Sequence, residues 1–165
     1  MNKTIFYVYP SCISTLAHNE VTLPVVYDTI KNNEVLRQRT ENYRKAIEAD
    51  LPAKQLKKLK AEQFPMLMPA ARFKNGREME HLVSYTCLCQ CDIDNIPSDI
   101  MEEAKRRVRE LPFVVMYHVS MSGHGLHVYY FYQIPNCGLT PQVYQQALTQ
   151  GNERIANAIP ADYDP

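Results

Sequence analysis

The chain carries no net charge, has no apolar run long enough to cross a bilayer, and has no pair of cysteines spaced for zinc. Lys and Arg number 18, as do Asp and Glu. Without a run of about 18 apolar residues there is no candidate membrane helix. Without a basic region ahead of a long apolar core, the N-terminus does not read as a secretory leader. The expectation is a soluble, cytoplasmic protein with no membrane partner. The five cysteines are odd in number, and Cys-x-x-Cys is missing. Cys87, Cys89 and Cys91 alternate along one run, and three ligands so placed on a strand do not converge easily on a tetrahedral ion. Small buried thiols in a reducing compartment fit this pattern better than a disulfide framework does. At 165 residues the chain can bury a core without covalent staples, as one domain or as two small ones sharing a core.

Zero net charge conceals an asymmetry. Residues 31–80 hold 12 of the 18 basic residues and 7 of the 18 acidic ones, leaving 6 basic and 11 acidic elsewhere. A basic half suits contact with a polyanion, and an acidic half suits metal ions. The same distribution also suits a solvated helix face.

The N-terminal part, residues 1–80, reads as a strand followed by basic helices. Ile5 to Tyr9 is a strand stopped by Pro10. Tyr27 to Ala49 carries an apolar stripe of Ile30, Val35, Leu36, Tyr43 and Ile47, enough for one or two helices. Ala53 to Gln63 restarts the pattern after Pro52, with Leu56 and Leu59 among four lysines. Phe64 to Pro69 holds two prolines and cannot be a regular helix, so a packed crossing segment is expected. Lys74-Asn75-Gly76-Arg77 is a turn.

Residues 81–165 read as a β-rich core. Leu82 to Asp94 is expected as one strand, whose odd positions (Cys87, Cys89, Cys91, Ile93) face one way and whose even positions (Gln90, Asp92, Asp94) face the other. Pro97-Ser98-Asp99 offers an N-cap for a helix to about Glu110. Phe113 to Val119 and Leu126 to Ile134 form a hairpin around Met121 to Gly125. Thr140 is an N-cap candidate for a helix to about Ala158, and residues 161–165 would begin a further strand. The order is β-α-β-β-α-(β), an α+β, RRM-like or ferredoxin-like arrangement with the first strand central, the helices on one face of the sheet and the other face open.

Two constellations fall in this core. Asp92 and Asp94, about 6.6 Å apart on one strand face, are suited to a pair of metal ions about 3.5–4 Å apart, the arrangement used in phosphoryl transfer. Taken without chemistry, they are the exposed end of a strand capping the next helix. Ser120-Met121-Ser122-Gly123-His124-Gly125-Leu126-His127 combines glycines that let an anion approach backbone amides with Ser and His donors. His127 shares a strand face with Tyr129 and Phe131 and can face carboxylates on a neighbouring strand; alternatively it is a hydrogen-bonded core histidine, and His124 a turn residue.

Asp92-Ile93-Asp94 closing one strand and Ser122-Gly123-His124-Gly125-Leu126-His127 opening another resemble the first two motifs of the archaeo-eukaryotic primase and primase-polymerase superfamily. More closely, the chain resembles the VirE N-terminal-domain family, found at the front of replication proteins of mobile elements and often ahead of a helicase-type region. The Lys-rich helix, Phe64-Pro65 and Ala70-Ala71-Arg72-Phe73 extend the resemblance over roughly residues 21–165. It implies a two-metal nucleotidyltransferase acting on a DNA template with nucleoside triphosphates. Asp92, Asp94 and a third acid, Asp164 with Asp162 as the alternative, would be the catalytic, metal-binding residues for Mg2+ or Mn2+. His127, with Ser122 and His124, would bind nucleotide phosphate. Arg37, Arg44, Lys54, Lys57 and Lys58 would meet template backbone, with Tyr129 or Phe131 available to stack a base. It further implies a chain that continues beyond Pro165 with strand and basic residues. Many relatives of the VirE type carry Lys where His127 stands, which would suit phosphate binding without polymerisation.

Two other functions fit parts of the pattern. A non-catalytic nucleic-acid-binding or partner-docking module would use the aromatic strand Gly125 to Tyr132 as RNA-recognition domains do. A rolling-circle nicking endonuclease would need His-x-His on one strand, and His124 and His127 fall on opposite parities.

Overall fold

The computed structural model describes residues 5–16, 19–132 and 140–159. The chain is α+β and divides into two compact units, Met1–Thr86 and Cys87–Pro165.

In the first unit, β1 (Phe6–Tyr9) lies between β2 (Asn19–Val21) and β3 (Met66–Met68), antiparallel to both. The crossing segment expected at 64–69 thus contributes a short strand, flanked by prolines 65 and 69, whose missing amide donors limit its length. Helix α1 (Leu23–Asn32) and helix α2 (Glu34–Glu48) share one apolar stripe in sequence but break at Asn33. The Asn33 side chain accepts from the Leu36 amide at 2.8 Å, so it closes one helix and caps the next. Helix α3 (Ala53–Gln63) follows. Tyr43 of α2 meets Phe64 edge-on, with ring centroids 5.7 Å apart. Strand β4 (Ala71–Phe73) pairs with β5 (Leu82–Tyr85) across the turn that contains Asn75 at φ 67°.

The long strand expected over 82–94 is two strands. Leu82–Tyr85 pairs with β4 in the first unit, whereas β6 (Leu88–Ile93) belongs to the second. An apolar run alone does not reveal such a break. Between them the Thr86 amide and hydroxyl both donate to backbone carbonyls, of Ala70 and Pro69, fixing the chain where it leaves β5.

The second unit runs β6, α4 (Met101–Glu110), β7 (Val114–Val119), β8 (Leu126–Phe131) and α5 (Pro141–Ala156). Among the described residues its sheet has the order β6-β8-β7 with every neighbour antiparallel. Among the described residues β8 holds the middle place. The further strand expected at 161–165, which would make the first strand central, lies outside the described residues. Cys89, Cys91 and Ile93 of β6 and Leu126, Val128 and Tyr130 of β8 enter one core with Ala104 and Val108 of α4 and Ile155 of α5. Full burial of each large aliphatic side chain here contributes about 1.5–3 kcal/mol. Tyr130 donates to Leu148 O and Asn152 Oδ1 at 3.1 and 2.9 Å, tying the middle strand to α5. Thr140 caps α5 as expected, its hydroxyl accepting from the Val143 amide at 3.2 Å. The N-cap expected at 97–99 does not form: α4 starts after Ile100, without a side-chain cap, because residues 98–100 make a turn of their own.

Candidate functional site

With the odd residues of β6 in the core, Gln90 and Asp92 must stand on the opposite face, and the register decides what they meet. Asp92 is directly opposite His127 on β8, and His127 is directly opposite His118 on β7. One row across the sheet therefore reads Asp92, His127, His118. The His127 Nδ1 lies 2.6 Å from Asp92 Oδ1. A carboxylate only accepts, so Nδ1 carries the proton. Gln90 Nε2 donates to the same Oδ1 at 2.7 Å. Its 3.4 Å approach to His127 Nδ1 brings two donors together and is a shared acceptor rather than a hydrogen bond. Asp92 keeps half of its side-chain surface in solvent, whereas His127 keeps 18%.

His118 was not expected from the sequence. A register shift between Val114 and Met116 in β7 changes which residues share a face, and strand alternation alone cannot locate that shift. Its ring lies over His127 at 5.0 Å with the planes 16° apart. Burial lowers its pKa from the ordinary histidine range, against the hydrogen bond with Val119 O that raises it; His127 lowers it further and Asp92 raises it.

Asp94 is exposed one residue beyond β6, where Asn95 turns the chain at φ 58°. The Met121–Gly125 turn closes on the same strand end. Ile96 N–H donates to His124 O at 2.8 Å. A Cβ on Gly125 would lie 2.3 Å from Ile93 O and 3.3 Å from Asp94 Cα, so only glycine lets the turn pack there. Within the turn, Gly123 has φ 88°, Ser120 and Ser122 hydroxyls are 2.9 Å apart, and the His124 amide donates to Ser122 Oγ at 3.4 Å. The structure thus brings Asp92, Asp94, His127 and the turn bearing Ser122 and His124 to one end of the sheet.

Other expected residues are placed elsewhere. Tyr129 is 2% exposed, and burial followed by the Asp92 charge pushes its pKa up, so it is not free to stack a base. Leu88 and Met116 on that face are also buried. The face is therefore closed at its middle, while His127 toward the Asp92 end and Phe131 at the other are only partly buried, a correction to the open face expected. Asp164 and Asp162 lie outside the described residues. Among the described residues there is no group of three or more His, Cys, Asp or Glu able to hold a metal ion. Arg37, Arg44, Lys54, Lys57 and Lys58 belong to the first unit, on α2 and α3. Arg37 pairs with Glu34 at 2.5 Å and Lys58 approaches Glu62 at 3.9 Å; Lys54 and Lys57 are exposed and Arg44 is partly buried. Cys89 and Cys91 sit in the core, where burial pushes both thiols up to about 11 and disfavours the reactive thiolate.

A family model for the BT4734-like, N-terminal domain matches residues 58–165. The chain belongs to that family. The BT4734-like span starts inside α3 at Lys58 and takes in both carboxylates, the serine-glycine turn and the whole histidine row, leaving Arg37, Arg44, Lys54 and Lys57 outside it. No curated protein and no solved structure matches the chain.

Proposed function

We propose that this BT4734-like domain is the nucleotide-binding and catalytic part of a primase/polymerase-type nucleotidyltransferase, akin to the VirE N-terminal-domain family and acting on a DNA template in mobile-element replication. The observation that carries the reading is the 2.6 Å contact of Asp92 with His127 beside Asp94 and the Ser-Gly-His turn. Hard carboxylate oxygens at a solvent-reached strand end fit Mg2+ or Mn2+, since Mg2+ is commonly held by one or two carboxylates plus substrate phosphates. Asp92 and Asp94 would hold the ion, with Asp164 as the proposed third acid. Bound there, it would activate an attacking hydroxyl and neutralise a triphosphate. With Nδ1–H directed at Asp92, His127 can donate to a phosphate oxygen from its remote Nε2 only as the imidazolium, with both nitrogens protonated; in that form it would steady developing charge. Ser122 and the backbone amides of the turn would add donors, and the basic residues of α2 and α3 would meet template backbone. A helicase region in the same or an associated protein would be the natural partner.

One observation favours a second reading, a nucleic-acid-binding or docking module without catalysis. Asp92 already receives His127 and Gln90 and so has partners without a cation. Thermal unfolding separates the two. Mn2+ should raise Tm, and Asp92→Asn with Asp94→Asn should abolish the rise and weaken ATP binding. No metal-dependent shift together with unchanged ATP binding in the double variant would sink the catalytic reading. Primer extension by the full chain, set beside the same variant, then tests for polymerase activity.

A further inference from the structure

We propose that His118 is a positioning residue for the phosphate-binding imidazole, holding the plane of the His127 ring by stacking so that Nε2 stays aimed away from Asp92. The inference rests on the nucleotide-binding reading of His127.

The hydrogen bond from Nδ1 to Asp92 holds one edge of the His127 ring and by itself does not fix the tilt of the ring about that bond. The stacked His118 ring, 5.0 Å away and 16° from parallel, constrains the face. His118 is itself held at both nitrogens. Its Nδ1 lies 3.0 Å from Val119 O, a pure acceptor, so Nδ1 donates. A neutral His118 then has Nε2 as an acceptor, and Tyr129 O–H, 3.4 Å away, is the donor available to it. Tyr129 stacks on the same ring from the next position, with centroids 5.9 Å apart and planes 26° apart. The row is therefore buttressed from its buried side toward its open end: Tyr129 holds His118, and His118 holds His127. A neutral ring in this position also tolerates positive charge on His127, whereas a cation there would repel it.

Two substitutions separate stacking from hydrogen bonding. His118→Phe keeps a flat ring and gives up both polar contacts; His118→Gln keeps polar groups and gives up the ring. MgATP affinity is measured by calorimetry, and the His127 ring nitrogens are followed by NMR. His127→Ala serves as the reference. The expected result is that His118→Gln weakens MgATP by about tenfold, near the worth of one charge-assisted hydrogen bond. It should also shift the His127 nitrogen signals toward the averaged tautomer pattern. His118→Phe should stay within about threefold of the parent on the same scale and keep the parent signals. Parent-like binding in both variants, equal losses in both, or a loss confined to His118→Phe would each overturn the stacking role, provided that His127→Ala itself weakens binding. If His127→Ala binds MgATP as the parent does, the nucleotide-binding reading fails instead.

Discussion

Gly125 shows how much of the site depends on single atoms. Its missing side chain lets the turn close on the end of β6, and a methyl group there would meet the Ile93 carbonyl, a backbone atom that cannot swing aside. Gly125→Ala should therefore destabilise the chain by about 2–3 kcal/mol, as overpacking does, seen as a lower midpoint in urea. Its MgATP affinity should fall as well, because Ser122 and His124 would be displaced from Asp94. That Asp92 and His127 stand on neighbouring strands was legible in the sequence from parity and the β-α-β-β order; that they are directly opposite was decided by register. His118 was not legible. Its place depends on a one-residue irregularity in β7, which no side-chain pattern announces.

At the scale of elements, α4 and α5 are set by different means. Helix α5 has a side-chain cap, so Thr140→Ala should cost about 1 kcal/mol, read as a fall in Tm. Helix α4 lacks one and instead carries Glu103, hydrogen-bonded by Arg106 and Arg107 at 2.7 Å. These bonds pull the Glu103 carboxyl down to about 2. A lowered carboxyl contributes stability that is present above its ordinary value of 4.5 and lost as pH falls through about 2. Glu103→Gln should consequently lower Tm slightly at neutral pH, by little because exposed pairs contribute little, and flatten the acid limb by the same small amount, so that variant and parent converge as pH falls through about 2. Whether the stripe across Asn33 makes one helix or two was open in the sequence, whereas helix boundaries near proline were readable, as at Pro52 and at Thr140 before Pro141. The break between β5 and β6 was not, because both strands draw on one apolar run and only their pairing partners differ.

At the scale of the whole molecule, the charge asymmetry coincides with the division into two units: the basic residues named for DNA are carried by Met1–Thr86, and the carboxylates by Cys87–Pro165. No helix among the described residues is long and apolar enough to cross a membrane. If the basic face of α2 and α3 meets phosphates, Lys54→Glu with Lys57→Glu should weaken binding to single-stranded DNA. The slope of log K against log salt should then fall in magnitude by about 1.4, the share of two single-strand phosphate contacts. Arg37→Glu should add less, its charge being already offset by Glu34. By itself the sequence determined the class of the chain, the helices, the hairpin and the face on which Asp92 stands, because alternation and helical periodicity are local properties of the backbone. Only the tertiary structure decided that Tyr129 is buried, that Gln90 shares the Asp92 oxygen with His127, and that His118 completes the row. Those facts depend on register and on packing between strands distant in sequence, where a shift of one residue changes every neighbour.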